Sequence, residues 1–380
     1  MKMSKSKKRR QKKMGRLRRK RALAYQNLRI FDGIDPRKDY VPIKCVYGKD
    51  MKNTLLMIII NSGEIPTDLY ELLNIPEGTF RAYISDLYAD DLARIKINDR
   101  IHTYLLTSHA KRMMKDYRPF IRTPNSVTSR KRHIRLARLN AYFWGLGISV
   151  FRHQNSSAEN IANNSEAQQT LRFYNSYYLK PAVTEHTENI RRSKSFGLLT
   201  GLNKHFMVFY EPEDTEFYYE EDLFKITVSR YIGTEVKDML LILDSVFQAM
   251  FWLHFLFNFN EYFSGESPIR LFEKVRIFVM DEYAQSALYV LLNEEKLEKQ
   301  IAKDYNLDAY NERYDFLLTL NVYKLYYLIA HAKNNPEEAM SIITMPYLMD
   351  IVNAWVKDTQ INVYYLRKDD WDKYIDLLFQ

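Results

Sequence analysis

The hydrophobic period switches from helical to alternating and back between residues 50 and 115, and few folds accommodate that order. Lys52 to Asn61 is apolar at helical spacing (Leu55, Leu56, Ile58, Ile59), and Gly63 breaks it. Pro66-Thr67-Asp68 opens a second, short helix with Leu69, Leu72 and Leu73 inward. After the turn Asn74-Ile75-Pro76-Glu77-Gly78, the residues Phe80, Tyr83, Ile84 and Leu87 predict a third helix. Ala93-Arg94-Ile95-Lys96-Ile97 then alternates, Asn98-Asp99 turns, and Arg100 to Leu106 alternates again, which is a β-hairpin signal. Thr107 is placed to cap a last helix carrying Lys111, Arg112 and Met113. Three helices and a hairpin in this order are the pattern of a winged helix-turn-helix.

Charge is distributed very unevenly. Of the 56 basic residues, thirteen lie in residues 1–21, where no acid occurs, which leaves 43 against 47 acidic residues in the rest. The formal charge of +9 therefore belongs to a tail. Such an arm, set at 1–24 and including Lys7, Lys8, Arg9, Arg10, Arg18 and Arg19, repels itself and has little to bury, so it is expected to be disordered. It attracts polyanions by counterion release, nucleic acid foremost. An anionic membrane surface and a purely solubilising tail are the other readings. No apolar run follows the charges, so the arm does not read as a secretory signal.

A second basic block at 108–138 holds ten Lys or Arg and one acid, Asp116. It reads as a linker broken by Pro119 and Pro124 that enters a helix near 128, and residues 116–150 are set apart as basic linker and helix. Lys111, Arg112, Arg130, Lys131, Arg132 and Arg135 extend the expected contact surface. Thr79, Arg81 and Ser85 occupy the outward side of the third helix, beside Glu77, Asp86, Asp90 and Asp91. The wing carries Arg94, Lys96 and Arg100. Acids on the third helix and cations on the wing predict phosphate contacts rather than base readout.

Hydrophobic residues make up 46% of the 380, enough for a real core, and only 11 Gly and 11 Pro favour a helix-rich α+β chain over an all-β one. Residues 152–170 are polar and read as a loop. Beyond them, residues 171–380 predict an α/β domain with a mixed sheet. Its expected strands are 177–179, 196–200, 205–210, 217–219, 275–279, 316–320 and 361–366. Its expected helices are 182–191, 236–259, 283–292, 322–333 and 336–356. The run Met239 to Phe259 is long enough to cross a bilayer, yet it holds Asp244, Gln248 and His254, so it reads as a buried helix and no membrane is expected.

Catalytic signals are weak. The lone Cys45 excludes an intramolecular disulfide and a Cys-based zinc site, and fits a reducing cytosol. No phosphate-binding loop occurs, no cofactor is called for, and Gly145-Leu146-Gly147 reads as a helix end. Pro212-Glu213-Asp214 and Glu235-Val236-Lys237 have the residue types of a metal-dependent nuclease, but the second triplet opens the expected apolar helix where a strand is required. Glu185, His186 and Glu188 read as a solvated helix surface.

The stretch ending in Tyr104-Leu105-Leu106-Thr107, the helix around His133-Ile134-Arg135-Leu136, and Ser193-Lys194-Ser195-Phe196-Gly197-Leu198-Leu199 followed by Val208-Phe209-Tyr210 carry a resemblance. So does Arg276-Ile277-Phe278-Val279 before an alanine-containing helix. Over most of 50–330 the chain resembles the plasmid replication-relaxation proteins and related winged-helix proteins of conjugative elements in low-GC Gram-positive bacteria. The resemblance implies a non-enzymatic, cytoplasmic DNA-binding protein of a mobile element, serving replication, transfer or transcription control. It also implies a second domain with a nuclease-like fold and no identified active site, and a homodimer or a relaxosome-type protein partner. RNA in place of DNA, a metal-dependent nuclease, and a viral or structural packaging protein are the alternatives.

Overall fold

The computed structural model describes residues 49–98, 101–113, 125–151, 158–162, 171–183, 193–201, 204–210, 219–257, 271–280, 284–307, 313–366 and 374. The arm and Arg100, Glu185, His186, Glu188 and Pro212-Glu213-Asp214 lie outside these residues, as does most of the helix expected at 182–191. The chain is α+β and divides into two compact units, 1–153 and 154–380.

The first unit runs α1 (Lys49–Ser62), β1 (Ile65–Pro66), α2 (Glu77–Ala89), β2 (Ala93–Asn98), β3 (Ile101–Leu106), α3 (Ser108–Met113) and α4 (Val127–Gly145). The apolar positions that predicted α1 and α2 meet in one core: Leu55, Leu56, Ile58 and Ile59 pack with Phe80, Ile84 and Leu87. Gly63, at φ 86°, ends α1 in the left-handed region that glycine adopts without steric cost. Thr107 caps α3 as expected, accepting from the Ala110 N–H at 3.0 Å. The three strands form an antiparallel sheet in the order β1-β3-β2.

The short helix expected after Pro66 is instead a series of turns. Its hydrogen bonds reach back three, four and five residues in turn, from Glu71 to Asp68, Leu73 to Leu69 and Ile75 to Tyr70. Pro66 and Pro76 bound too short a segment to propagate a regular ladder, and Asn74 (φ 50°) reverses the chain. Of the residues expected inward, Leu69 and Leu73 are buried and Leu72 is half-buried against the same core.

Helix α4 is not a separate linker element. Its Ala137 and Ala141 belong to the same core as α1 and α2. Ser126 accepts from the Ser129 N–H to start it, and Gly147 (φ 77°) follows its end, as Gly145-Leu146-Gly147 suggested. A buried ion pair ties it in place. Arg130 and Glu64 are both fully buried, with Arg130 Nε 3.0 Å and Nη2 2.9 Å from Glu64 Oε2. Arg130 Nη2 also donates to Thr103 Oγ1 at 2.7 Å, and that hydroxyl donates to Glu64 at 2.6 Å. Further along the helix, Asn140 Nδ2 donates to Ser62 Oγ at 2.9 Å.

The second unit contains α5 (Ala158–Ala162), β4 (Arg172–Asn175), α6 (Ser176–Val183), β5 (Gly197–Gly201), β6 (Lys204–Tyr210), α7 (Tyr219–Ile232), β7 (Asp238–Leu243), α8 (Val246–Phe257), β8 (Lys274–Val279), α9 (Ala284–Asp304), β9 (Arg313–Leu317), β10 (Leu320–Asn321), α10 (Val322–Asn334), β11 (Met340–Thr344), α11 (Met349–Val356) and β12 (Ile361–Tyr365). The mixed sheet is present, ordered β10-β8-β7-β6-β5-β4. Strands β4, β5 and β6 form an antiparallel meander, β7 and β8 continue it in parallel, and β10 returns antiparallel. A separate parallel sheet is ordered β12-β11-β9.

Four segments differ from the sequence reading. Residues 177–179 are helical in α6, because Asn175 Oδ1 accepts from the Tyr177 and Tyr178 N–H groups and starts a helix. The apolar run 236–259 is strand β7 followed by helix α8. A central parallel strand is apolar on both faces, so Met239–Leu243 carries the same signal as a buried helix. The break is Asp244-Ser245, where Gln248 Oε1 accepts from the Asp244 N–H at 2.7 Å and Ser245 Oγ accepts from the Gln248 N–H at 3.3 Å. Residues 336–356 likewise divide into β11 and α11. Tyr219 opens a helix rather than closing a strand. Among the described residues, no helix is long and apolar enough to cross a membrane.

Removing one partner of the buried pair strands the other charge in the core. Glu64→Ala or Arg130→Ala should cost about 3–5 kcal/mol of stability in chemical denaturation, whereas Arg81→Ala, which breaks an exposed pair with Glu77, should cost no more than about 0.5 kcal/mol.

Candidate nucleic-acid interface

The register of the hairpin sorts its side chains onto two sides. Directly opposed residues of an antiparallel pair share a side. Lys96 stands opposite Thr103 and Arg94 opposite Leu105, while Ile95 stands opposite Tyr104 and Ile97 opposite His102. The Thr103 hydroxyl is bonded to Arg130, so the side carrying Arg94 and Lys96 is the side on which α4 packs. There α4 presents Lys131, exposed, with Arg132 and Arg135 half-buried on the outer part of a helix that contains no acid from Val127 to Gly145. Arg138 continues the row and pairs with Asp68 at 2.5 Å. Arg94, Lys96, Lys131, Arg132 and Arg135 thus share one side of the sheet on a rigid scaffold.

Arg130 does not belong to that surface, and its assignment as a contact residue is corrected. It lies in register with His133, Ala137 and Ala141, three to four residues apart along the buried ridge of α4, and its charge is spent on Glu64. The count of basic residues in the block concealed this. Reading the helical period through Ala137 and Ala141 would have separated Arg130 from Lys131 and Arg135.

Helix α2 has a different character. Arg81 is exposed, but its Nη2 lies 2.5 Å from Glu77 one turn back. Asp90 is held by Lys52 at 2.6 Å. Ser85 and Asp86 are exposed and Thr79 is half-buried. Thr79, Arg81 and Ser85 therefore sit on a helix whose cation is balanced by its own acid. Tyr88 meets Tyr104 edge-on at 6.3 Å, which joins α2 to the Ile95 and Ile97 side of the hairpin, away from Lys96. On α3, Arg112 is exposed and Lys111 half-buried.

The nuclease triplet sits differently from its sequence reading. Glu235 and Lys237 precede a strand rather than open a helix, and Lys237 Nζ is 2.7 Å from Glu273 and 3.7 Å from Glu235. Among the described residues, no three His, Cys, Asp or Glu side chains are grouped to hold a metal ion. In the second unit Arg276 is nearly buried, with Nη2 2.7 Å from Glu294 and Thr319 accepting from Nη1. The sequence offered no signal for that ion pair, because its partners are far apart along the chain. No family model, curated protein or solved structure matches the chain.

Burial beneath the basic surface also governs His133. Its Nδ1 donates to the Ser62 carbonyl at 2.7 Å, and loss of hydration pushes its pKa down from 6.5 to about 4. The native ring is neutral, whereas the unfolded chain takes up a proton as pH falls through 6.5. The stabilisation from this ring is complete above 6.5 and is lost on acidification towards 4, roughly 3 kcal/mol in all. The His133 imidazole resonance should therefore not titrate between pH 5 and 8 in an NMR pH series.

Proposed function

We propose that this chain is a non-enzymatic nucleic-acid-binding protein, with DNA as its first ligand, and that residues 50–115 are a winged helix-turn-helix. Binding is led by phosphate contacts. The observation that carries the reading is that Arg94 and Lys96 of β2 lie on the side of the sheet on which the acid-free α4, with Lys131, Arg132 and Arg135, packs. Five cations on rigid elements match a polyanion, and long-range attraction by the arm of 1–24 adds to them. Lys111 and Arg112 are placed to extend the contact. Helix α2, whose Arg81 is paired with Glu77 and whose Asp86 is exposed, argues against base reading by that helix, so sequence preference is expected to be low.

The sequence resemblance supplies the setting: a cytoplasmic protein of a plasmid or conjugative element, acting in replication, transfer or transcription control. The second unit is then the part that meets a relaxosome-type protein partner. A nuclease reading has less support, because strands β5 and β6 of the meander carry no carboxylate and Lys237 is engaged by two acids.

Fluorescence anisotropy with duplex DNA, single-stranded DNA and RNA across a salt series tests the reading. Duplex affinity should fall steeply with salt. Lys131→Ala/Arg132→Ala/Arg135→Ala should reduce the slope of log K against log salt by about 2–3. Deletion of residues 1–21 should flatten it further. An affinity independent of salt, or one unchanged by the triple substitution and the deletion together, would overturn the proposal. Tighter binding of RNA than of duplex would replace DNA as the ligand.

A further inference from the structure

We infer that the surface formed by α2 and the Ile95–Ile97 side of the hairpin is where a second copy of this chain docks, α2 against α2. The inference is independent of the nucleic-acid reading, since it concerns the opposite side of the hairpin.

Three observations meet on this surface. First, its centre is apolar and open: Tyr88, Ile95 and Ile97 are 39%, 45% and 62% exposed. Tyr88 joins them to α2 through Tyr104, and α2 adds the exposed Ala82, Ser85 and Ala89. An apolar centre containing tyrosine and ringed by charge is the anatomy of a protein interface. Second, the surface repels a polyanion. Glu77 and Asp86 are exposed on it, and isoleucine gains nothing from a phosphate. Third, its charges complement themselves. Place two α2 helices antiparallel, with a two-fold axis midway between Ala82 and Ser85. Ala82 then faces Ser85 of the second copy, and Gly78 faces Ala89. Arg81 faces Asp86, and symmetry makes that pair twice. Small side chains at the crossing let the helices approach, and the space a side chain would fill at Gly78 is open.

Strand-to-strand pairing along the free edge of β2 is the competing arrangement for two copies. It sets Arg94 and Lys96 against the same cations of the mate, and like charges directly opposed are destabilising. The alternating cations on β2 thus block the edge and leave the α2 side for self-association.

Sedimentation velocity of the full chain over a concentration series is the test. The expected species is a dimer, twice the 45.5 kDa chain. Arg81→Asp and Asp86→Arg should each raise the dimer dissociation constant about tenfold or more, and the double exchange Arg81→Asp/Asp86→Arg should restore it to within about threefold. Ile97→Asp, on an exposed strand position, should give monomer with an unchanged melting temperature. A monomer at every concentration overturns the inference. So does a dimer indifferent to all four variants, which would place self-association elsewhere. Loss of nucleic-acid affinity in Arg81→Asp and Ile97→Asp, with mass unchanged, would instead assign the surface to nucleic acid.

Discussion

The Arg130–Glu64 pair holds the first unit in the form on which its surfaces depend. Glu64 follows the glycine that ends α1, and Thr103 lies in the middle strand of the hairpin sheet. Arg130 therefore bonds at once to the end of one helix and to the sheet, from the first turn of α4. Dehydrating two charges is expensive, and a buried pair is poor evidence for net stability. Its consequence here is geometric. With Glu64 and Thr103 both satisfied by one guanidinium, α4 has one rotation about its axis, and that rotation sends Lys131, Arg132 and Arg135 outward. His133 and Asn140 reinforce the same rotation through Ser62.

From that single constraint the unit acquires two unlike sides. Lys96 and Arg94 join the cations of α4 because β2 pairs with β3 in a register that puts Lys96 against Thr103. The alternate residues, Ile95 and Ile97, are forced onto the other side, towards Tyr88 and α2. A shift of one residue in the hairpin would exchange the two sets. The cations and the isoleucines are thus two outcomes of one register, and the proposed nucleic-acid and self-association surfaces do not compete for the same side.

Much of this was legible in the sequence, where the signal was local and periodic. Helices α1 and α2, the hairpin and its alternation, the Thr107 cap, and strands β5, β6 and β8 all follow from spacing within one element. The failures share a different cause. Met239–Leu243 reads as helix because a strand covered on both faces has no alternation to show, and Ser341–Thr344 failed in the same way within an expected helix. Arg130 reads as a surface cation because its acid lies 66 residues earlier, beyond any local pattern. The charge of α2 was half visible: its acids were plain, but the partnership of Asp90 with Lys52 needed the fold.

The central claim is that nucleic acid approaches the side of Lys96 and Lys131 and leaves α2 open. Side-chain footprinting tests it most directly, by labelling amines and carboxylates of the full chain with and without a duplex and locating them by mass spectrometry. The account predicts that Lys96 and Lys131 lose reactivity on binding while Asp86 and Glu77 keep theirs. Protection of Asp86 and Glu77, with Lys96 and Lys131 still labelled, would contradict it.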